Sequence, residues 1–242
     1  VAIAPLLPML VAMMALAVTA RRLVDGRAFA IAIALIACAG SARGMWAPLR
    51  IDHHGWQLAM LALAMMALTD PKRARGGVLL GLATALSLTI GMEMLLYLAL
   101  AGAAVVLRWI WDGSQARRLL SYGVTLAGGC ALSFLLFTSE ANRAAVCDAL
   151  SPVWLSAMLA AGALAVVLAL LNPEARTWRF AAAAAGGILL AAAFALAWPD
   201  CLGRLEQSTP ELERLWLSKV REAMPVYQHG ARTAGLIVTL PI

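Results

Sequence analysis

The stretch Gly77–Trp111, GVLLGLATALSLTIGMEMLLYLALAGAAVVLRWIW, decides the predicted topology of this chain. It is long enough for one long tilted helix or for two shorter helices joined by a turn. Gly91 weakens a helix, and the charge of Glu93 is costly inside lipid, so both residues favour a break at this point. The sequence therefore predicts a helical hairpin made of residues 77–90 and 93–111.

The composition of the whole chain is that of a membrane protein. Hydrophobic residues make up 63% of the sequence and charged residues only 13%, which is about half of the charged fraction usual in a soluble domain. Apolar runs alternate with short polar breaks, without the period-2 pattern of a β-barrel. The runs predict helices over residues 3–20, 28–43, 56–69, 77–90, 93–111, 119–137, 152–171 and 180–198, with another beginning near 232.

The predicted fold class is an all-α polytopic membrane protein, with eight to nine helices in a single transmembrane domain that covers residues 1–242. Val1 is not an initiator methionine and lies beside the first apolar run. The last residues enter another apolar run. We therefore expect this chain to be a piece of a longer protein.

The distribution of basic residues supports the hairpin. If residues 21–27 lie in the cytoplasm, the hairpin gathers most of the basic residues on that same side, as the positive-inside rule requires. The residues concerned are Arg21, Arg22, Arg27, Lys72, Arg73, Arg75, Arg108, Arg117, Arg118, Arg176 and Arg179. The net charge of +6 is then a topology signal and not a nucleic-acid-binding surface. The opposite, outer side is expected to be the periplasmic face of a bacterial inner membrane.

The longest predicted loop, residues 199–231, lies on the outer side. Within it, Thr209 and Pro210 are typical of a helix start, with Thr209 as the cap and Pro210 in the first turn. The residues that follow predict a short amphipathic helix in the membrane interface, where Trp216 fits an aromatic belt.

The polar break after the second apolar run contains the sequence Asp52-His53-His54. Ionisable groups at a membrane boundary are costly to hold there and indicate function. Asp52 and His54 have a spacing that presents one carboxylate and one imidazole to Mn²⁺, Mg²⁺ or Zn²⁺. The alternative interpretation is a solvated carboxylate and a histidine pair at the level of the lipid headgroups.

Two further acidic residues are expected on the outer side. Glu222 lies in the sequence Val220–Pro225, VREAMP, and a second acidic loop on this face suits a site for a metal ion and an acceptor. The alternative is a solvated charge paired with Arg221. Glu93 is a third acidic group beside the Asp52 loop, a partner for Arg50, or an interface charge that reaches water.

The two acidic motifs together resemble the catalytic subunit of oligosaccharyltransferase, a polytopic glycosyltransferase of the GT-C superfamily. In that family a D-x-D, D-x-E or D-x-H motif opens the second external loop, and Asp52-His53-His54 has the D-x-H form. A later external loop carries a T-I-x-E or S-V-S-E motif, and Val220–Pro225 matches its V-x-E-x-x-P part. Six helices separate the two loops in the family, as the predicted helices do here. Lys219 departs from the family, which has Ser or Thr at this position.

The resemblance implies a metal-dependent transfer of a sugar or oligosaccharide from a polyprenyl-(pyro)phosphate donor. Asp52 and His54 would hold Mn²⁺ or Mg²⁺ against the donor phosphates, and Glu222 would orient the acceptor or complete the metal site. His53 flanks the motif, and Glu93 is a further acidic group near it. The outer cations expected to bind the donor phosphate are Arg232, Arg221 and Arg50. The acceptor would be a protein, a lipid or a polysaccharide. The enzyme itself would be in contact with membrane lipids.

Two other classes of protein fit the same composition. A transporter or flippase also gathers polar residues in a helical bundle, but usually near the middle of the membrane and in two related halves. A membrane relative without catalytic activity is the other alternative. The one-sided grouping of acidic residues favours the transferase.

The four cysteines do not have the spacing of a metal cluster. Cys38 and Cys130 lie inside apolar runs and are expected to be packing residues. Cys147 and Cys201 both fall in predicted outer loops, where an oxidising compartment permits a disulfide. The sequence leaves this pairing open, because it does not give their separation in space.

Overall fold

The computed structural model describes residues 3–50, 52–203, 209–220 and 230, and this part of the chain is helical without a β-strand. The prediction of an all-helical fold is thereby confirmed. The α-helices are α1 (Leu6–Leu23), α2 (Ala28–Cys38), α3 (Gly40–Gly44), α4 (His54–Leu68), α5 (Arg73–Ile90), α6 (Leu95–Trp111), α7 (Ala116–Phe137), α8 (Pro152–Leu171), α9 (Arg176–Ala197) and α10 (Pro210–Leu215).

Four helical segments in the described residues are long and apolar enough to cross a membrane, which supports a membrane protein. They are Leu6–Leu23, Gly113–Phe137, Pro152–Leu171 and Arg176–Ala197. The helices α2, α4 and α6 are apolar but shorter. Short helices require shielding by their neighbours, and about half of the residues of α4 are buried inside the bundle.

The break in the stretch 77–111 is present, and the two helices that flank it run antiparallel. Helix α5 ends at Ile90 and α6 begins at Leu95. Arg73, at the start of α5, lies 3.9 Å from the carboxylate of Asp112, which directly follows α6. The predicted hairpin is thereby confirmed.

Several helices extend beyond their predicted bounds at the end that carries arginine or lysine residues. Helix α1 continues to Leu23 instead of residue 20, and α5 begins at Arg73 instead of residue 77. The starts of α7 and α9 are likewise three to four residues earlier than expected. Arginine side chains are long enough to reach polar groups from within a helix, so a charged residue does not end the helix there.

The prediction of one helix over residues 28–43 is wrong. Helix α2 ends at Cys38, and Ala39 adopts an extended conformation with φ −70° and ψ 94°. A short separate helix, α3, then begins at Gly40. Glycine at this position has a weak preference for helix, which makes a break between apolar residues inexpensive.

The C-terminal end of α4 is bound by arginines from three other helices. The last carbonyls of a helix have no partner within it and need donors from elsewhere when water is excluded. The pairs are Arg22 Nη1 to Met66 O at 2.7 Å, Arg118 Nη1 to Ala67 O at 2.9 Å, Arg108 Nη1 to Leu68 O at 2.6 Å and Arg118 Nη2 to Asp70 O at 2.5 Å. These bonds fix α1, α6 and α7 to α4.

Asp70 balances the positive charge at this inner end. Its carboxylate is fully buried and accepts two hydrogen bonds from Arg75, at 2.7 and 3.0 Å, and one from the backbone N–H of Lys72 at 2.8 Å. Arg22 Nη2 lies 3.4 Å away. Burial opposes ionisation of this carboxyl, but these donors outweigh it and hold the pKa of Asp70 below its ordinary value of 3.8.

Close glycine contacts determine how the central helices pack. Gly123 in α7 faces Gly162 in α8, and a Cβ on either residue would lie 2.6 Å from the carbonyl oxygen of the other. A Cβ on Gly81 in α5 would lie 2.8 Å from the backbone nitrogen of Leu126 in α7. Small residues of this kind let helix backbones approach closely within a membrane.

The outer side is tied together by a disulfide and carries the predicted short helix. Cys147, before α8, is bonded to Cys201, after α9, with a Cα–Cα distance of 5.4 Å. The pairing that the sequence left open is therefore present. Thr209 caps α10 by accepting a hydrogen bond from the backbone N–H of Leu212 at 3.2 Å, and Pro210 is the first helical residue, as predicted.

We expect Asp70→Asn to lower the thermal midpoint of the protein at pH 7, because charged hydrogen bonds contribute roughly 1.5–3 kcal/mol each. The folded pKa of Asp70 lies below that of the unfolded chain, so the contribution is fully present above about pH 3.8 and is lost as the pH falls through the folded pKa. Thermal unfolding of both proteins in detergent, from pH 7 to pH 3, measures the difference. The exposed Asp200→Asn is the control. A difference that persists undiminished at pH 3 would contradict this account.

The disulfide predicts the number of reactive thiols. Denatured protein, treated with a maleimide before reduction, should gain two labels, at Cys38 and Cys130. After reduction it should gain four, because Cys147 and Cys201 are released. Intact mass spectrometry counts the labels. Labels on Cys147 and Cys201 as well, without reduction, would refute the pairing.

Candidate functional site

The loop before α4 is held in a defined conformation. Trp46 Nε1 donates a hydrogen bond to the carbonyl of Gly55 at 3.0 Å, and Arg50 Nη1 donates to the carbonyl of Gly44 at 3.3 Å. Leu49 has a φ of 69°, a left-handed conformation that costs an L-residue with a Cβ roughly 1–2 kcal/mol. These contacts place the Asp52-His53-His54 motif at the start of α4.

The carboxylate of Asp52 contacts two residues that are close to it in the sequence. One oxygen forms an ion pair with Nε of Arg50, and the other accepts a hydrogen bond from the backbone N–H of His54 at 3.1 Å. Asp52 therefore neutralises Arg50 and caps a free N–H group at the start of α4. The structure thus brings together two of the predicted site residues, Asp52 and Arg50, as partners of each other.

A chain of hydrogen bonds links the histidine motif to the turn between α5 and α6. His53 Nε2 lies 2.8 Å from Oε1 of Glu93, and Gln57 Nε2 donates to Oε2 of the same carboxylate at 2.8 Å. Ser87 Oγ then donates to Oε1 of Gln57 at 2.5 Å. Gln57 and Ser87 are fully buried. We call His53, His54, Gln57, Ser87 and Glu93 the outer polar cluster.

His54 completes this cluster and has a free ring nitrogen. Its ring stacks on that of His53, with the centroids 4.4 Å apart. Nδ1 of His54 is buried and makes no hydrogen bond within the described part of the chain. Asp52 Oδ1 lies 3.5 Å from this nitrogen, at the outer limit of a hydrogen bond, so the contact is weakly electrostatic.

Both carboxylates near α4 are ionised at neutral pH. Burial opposes the charge on Asp52, but Arg50 and the backbone N–H of His54 hold the pKa of this carboxyl below its ordinary value of 3.8. Burial likewise opposes the charge on Glu93, and the hydrogen bond with His53 outweighs it, which places the pKa of Glu93 below 4.5. Carboxylates in this state are able to bind a cation.

The cluster contains a group of potential metal ligands that differs from the predicted pair. His53, His54 and Glu93 each offer one ligand atom, and these three atoms lie within 4.8 Å of one another. The sequence-based prediction paired His54 with Asp52. It noted Glu93 and His53 only as additional residues of this region.

An apolar groove begins next to the outer polar cluster. It has a volume of ≈ 590 Å³ and is lined by α5, α6, α7, α8 and α9. Leu88 and Leu95 line the groove close to the turn between α5 and α6, and they neighbour Ser87 and Glu93 in sequence. From Leu95 to Ile110 the groove follows α6 for about 22 Å at the usual helical rise.

The remaining predicted site residues lie outside the described part of the chain. They are Glu222, Arg221 and Arg232. Their predicted roles in orienting the acceptor and binding the donor phosphate stay predictions. Lys219, the departure from the family motif, is described and ends a short 3-10 helix.

Sequence reasoning missed two residues of the cluster, Gln57 and Ser87. Gln57 lies in the first turn of α4 and Ser87 in the last turn of α5. A polar side chain one turn inside an apolar helix is the signal that points to both, because such a group needs a buried partner.

No protein-family model, curated protein sequence or solved structure matches this chain.

Proposed function

We propose that this protein is a membrane glycosyltransferase that moves a sugar or oligosaccharide from a polyprenyl-(pyro)phosphate donor to an acceptor at its outer face. The observation that carries the proposal is that the apolar groove reaches the same turn between α5 and α6 that carries Glu93 of the outer polar cluster. A polyprenyl phosphate has one charged end and a long apolar chain. A polar site beside an apolar groove is complementary to both parts of such a donor.

The groove suits an apolar chain. Among its lining residues only Thr84 and Tyr122 carry polar side-chain atoms, and Thr84 Oγ1 already donates to the carbonyl of Leu80 at 2.8 Å. Each buried CH₂ group contributes roughly 0.8 kcal/mol, so a few isoprene units in the groove supply substantial affinity. The chain would lie along α6 with its phosphate towards Glu93.

The residues at the outer end have distinct proposed roles. A divalent cation bound at the outer polar cluster, with His54 among its ligands, would neutralise charge on the leaving phosphate. The sequence-based prediction names Mn²⁺ or Mg²⁺ and pairs His54 with Asp52. Arg50 would exchange its contact with Asp52 for the donor phosphate. Glu222 would orient the acceptor, and Arg221 and Arg232 would contact the donor. A periplasmic outer face in a bacterial inner membrane agrees with a disulfide on this side.

The distribution of charge does not favour a transporter. In the described residues, Asp, Glu, Lys and Arg occur in loops and in the end turns of helices. Transporters usually place such groups near the middle of the membrane, on interrupted helices. The long helices α7, α8 and α9 are continuous through the bundle.

We expect His54→Ala to reduce metal-dependent transfer at least about a hundredfold, because a bound cation supplies several kcal/mol of charge stabilisation. The assay uses full-length protein in native membranes, a radiolabelled pool of polyprenyl-linked sugar, and Mn²⁺ or a chelator. Asp200→Ala at equal abundance is the control, since Asp200 is an exposed outer carboxylate. The labelled product identifies the acceptor class. Equal transfer by the wild type and His54→Ala, or no transfer from any donor, would reject the proposal.

Filling the groove should weaken donor use. Ala184 lines the groove, whereas the adjacent Ala185 does not, and both are exposed. Ala184→Trp should therefore raise the apparent KM for the donor about tenfold or more, because losing contact with two CH₂ groups costs about 1.6 kcal/mol. Ala185→Trp is the matched control. Equal KM values in the two variants would show that the donor does not occupy this groove.

A further inference from the structure

The ligand atoms of the outer polar cluster come from two parts of the chain that the fold brings together. His53 and His54 stand at the start of α4, and Glu93 stands in the turn before α6, forty residues later. One ligand atom from each lies within 4.8 Å of the others. A tetrahedral cation with bonds near 2.1 Å separates its ligands by about 3.4 Å, so small side-chain rotations would close this group round an ion.

The exposed side of this group leaves room for an ion. The side chains of His53 and Glu93 are 46% and 42% exposed. The present contact between them, at 2.8 Å, is a hydrogen bond that a cation would replace. The exposed imidazole of His53 is the ligand that has room to move towards the ion.

A buried support fixes the carboxylate of Glu93. Gln57 holds Oε2 of Glu93 and leaves Oε1 directed at His53, and Ser87 in turn fixes Gln57. Gln57 and Ser87 are completely buried. Residues that orient metal ligands from behind are usual at built metal sites, and their loss typically reduces metal affinity 10–100-fold. A solvated surface carboxylate has no need of such a support.

The environment of His54 also indicates a ligand. Its Nδ1 atom is buried without a hydrogen bond in the described structure. Buried polar atoms are seldom left without a partner, and this nitrogen has only the contact with Asp52 Oδ1 at 3.5 Å. The other oxygen of Asp52 pairs with Arg50, so the predicted partner of His54 is partly engaged elsewhere.

We propose that His53, His54 and Glu93 form a binding site for one divalent cation of the imidazole-preferring kind, Zn²⁺ in the first place, with Asp52 outside the set of ligands. Two imidazoles and one carboxylate suit Zn²⁺, whereas Mg²⁺ prefers oxygen ligands alone. Three protein ligands leave a fourth position open. The role of that position, to accept a phosphate oxygen of the donor, rests on the proposed function.

The test is metal binding by the purified full-length protein, without any donor. Apo protein in detergent is titrated with Zn²⁺, Mn²⁺ and Mg²⁺ by calorimetry, and Co²⁺ provides a visible spectrum of the coordination. We expect one Zn²⁺ per chain at this site and weaker binding of Mg²⁺. Glu93→Gln, His53→Gln and His54→Gln should each weaken Zn²⁺ binding at least about tenfold, and Gln57→Leu about 10–100-fold.

Two controls keep the result interpretable. Glu174→Gln removes an exposed carboxylate on the inner side and should leave Zn²⁺ binding unchanged. Gly91→Ala keeps all three ligands but introduces a Cβ that collides with the carboxylate of Glu93 and with Gln57. It should weaken binding even if a ligand variant fails to fold. Each variant is checked by its thermal midpoint.

The outcomes separate this inference from the proposed function. Zn²⁺ binding that depends on Glu93, in a protein without transferase activity, supports the site and rejects the transferase. Sugar transfer by a protein that binds no Zn²⁺ overturns the site. Binding that survives Glu93→Gln but is lost in Asp52→Asn also overturns it, in favour of the Asp52 and His54 pair.

Discussion

The architecture depends on the free-energy cost of unpaired carbonyl groups at the inner end of α4. The last carbonyls of a helix have no partner within it, and at this end Arg118 reaches those of Ala67 and Asp70 through buried hydrogen bonds. Arg22, Arg108 and Arg118 reach them from α1, α6 and α7. The bonds set the position of α4 along the membrane normal relative to its neighbours. They thereby determine how near His53, at the other end of α4, comes to Glu93 at the start of α6.

The sequence predicts that basic residues gather at one end of the helices, but not which group each of them contacts. The break near Gly91 and the grouping of basic residues follow from the cost of charge in lipid, which the sequence alone specifies. The carbonyl that Arg118 reaches depends on helix rotation, which close contacts such as Gly123–Gly162 determine. The single helix over 28–43 failed for another reason, since hydrophobicity does not report a local backbone break such as that at Ala39.

The same holds for the candidate site. The sequence identifies residues that are neighbours along the chain, but it does not give the contacts between separate helices. Spacing along the chain identified His53 and His54, but it also paired His54 with Asp52, whose carboxylate the structure places against Arg50. Glu93 was expected near this loop from the topology, although its contact with His53 depends on the packing of α4 against α6. Gln57, which supports Glu93, lies within a predicted apolar run, and sequence reasoning did not single it out.

The disulfide has a consequence for the mechanical connectivity of the bundle. Because Cys147 precedes α8 and Cys201 follows α9, the chain between them forms a closed covalent ring that passes through the bundle twice. A single cut in the turn at Asn172–Ala175 would open this ring without releasing either helix. After such a cut, α8 and α9, which form one wall of the groove, therefore stay covalently linked. A cut between α6 and α7 would instead divide the chain into two separate pieces.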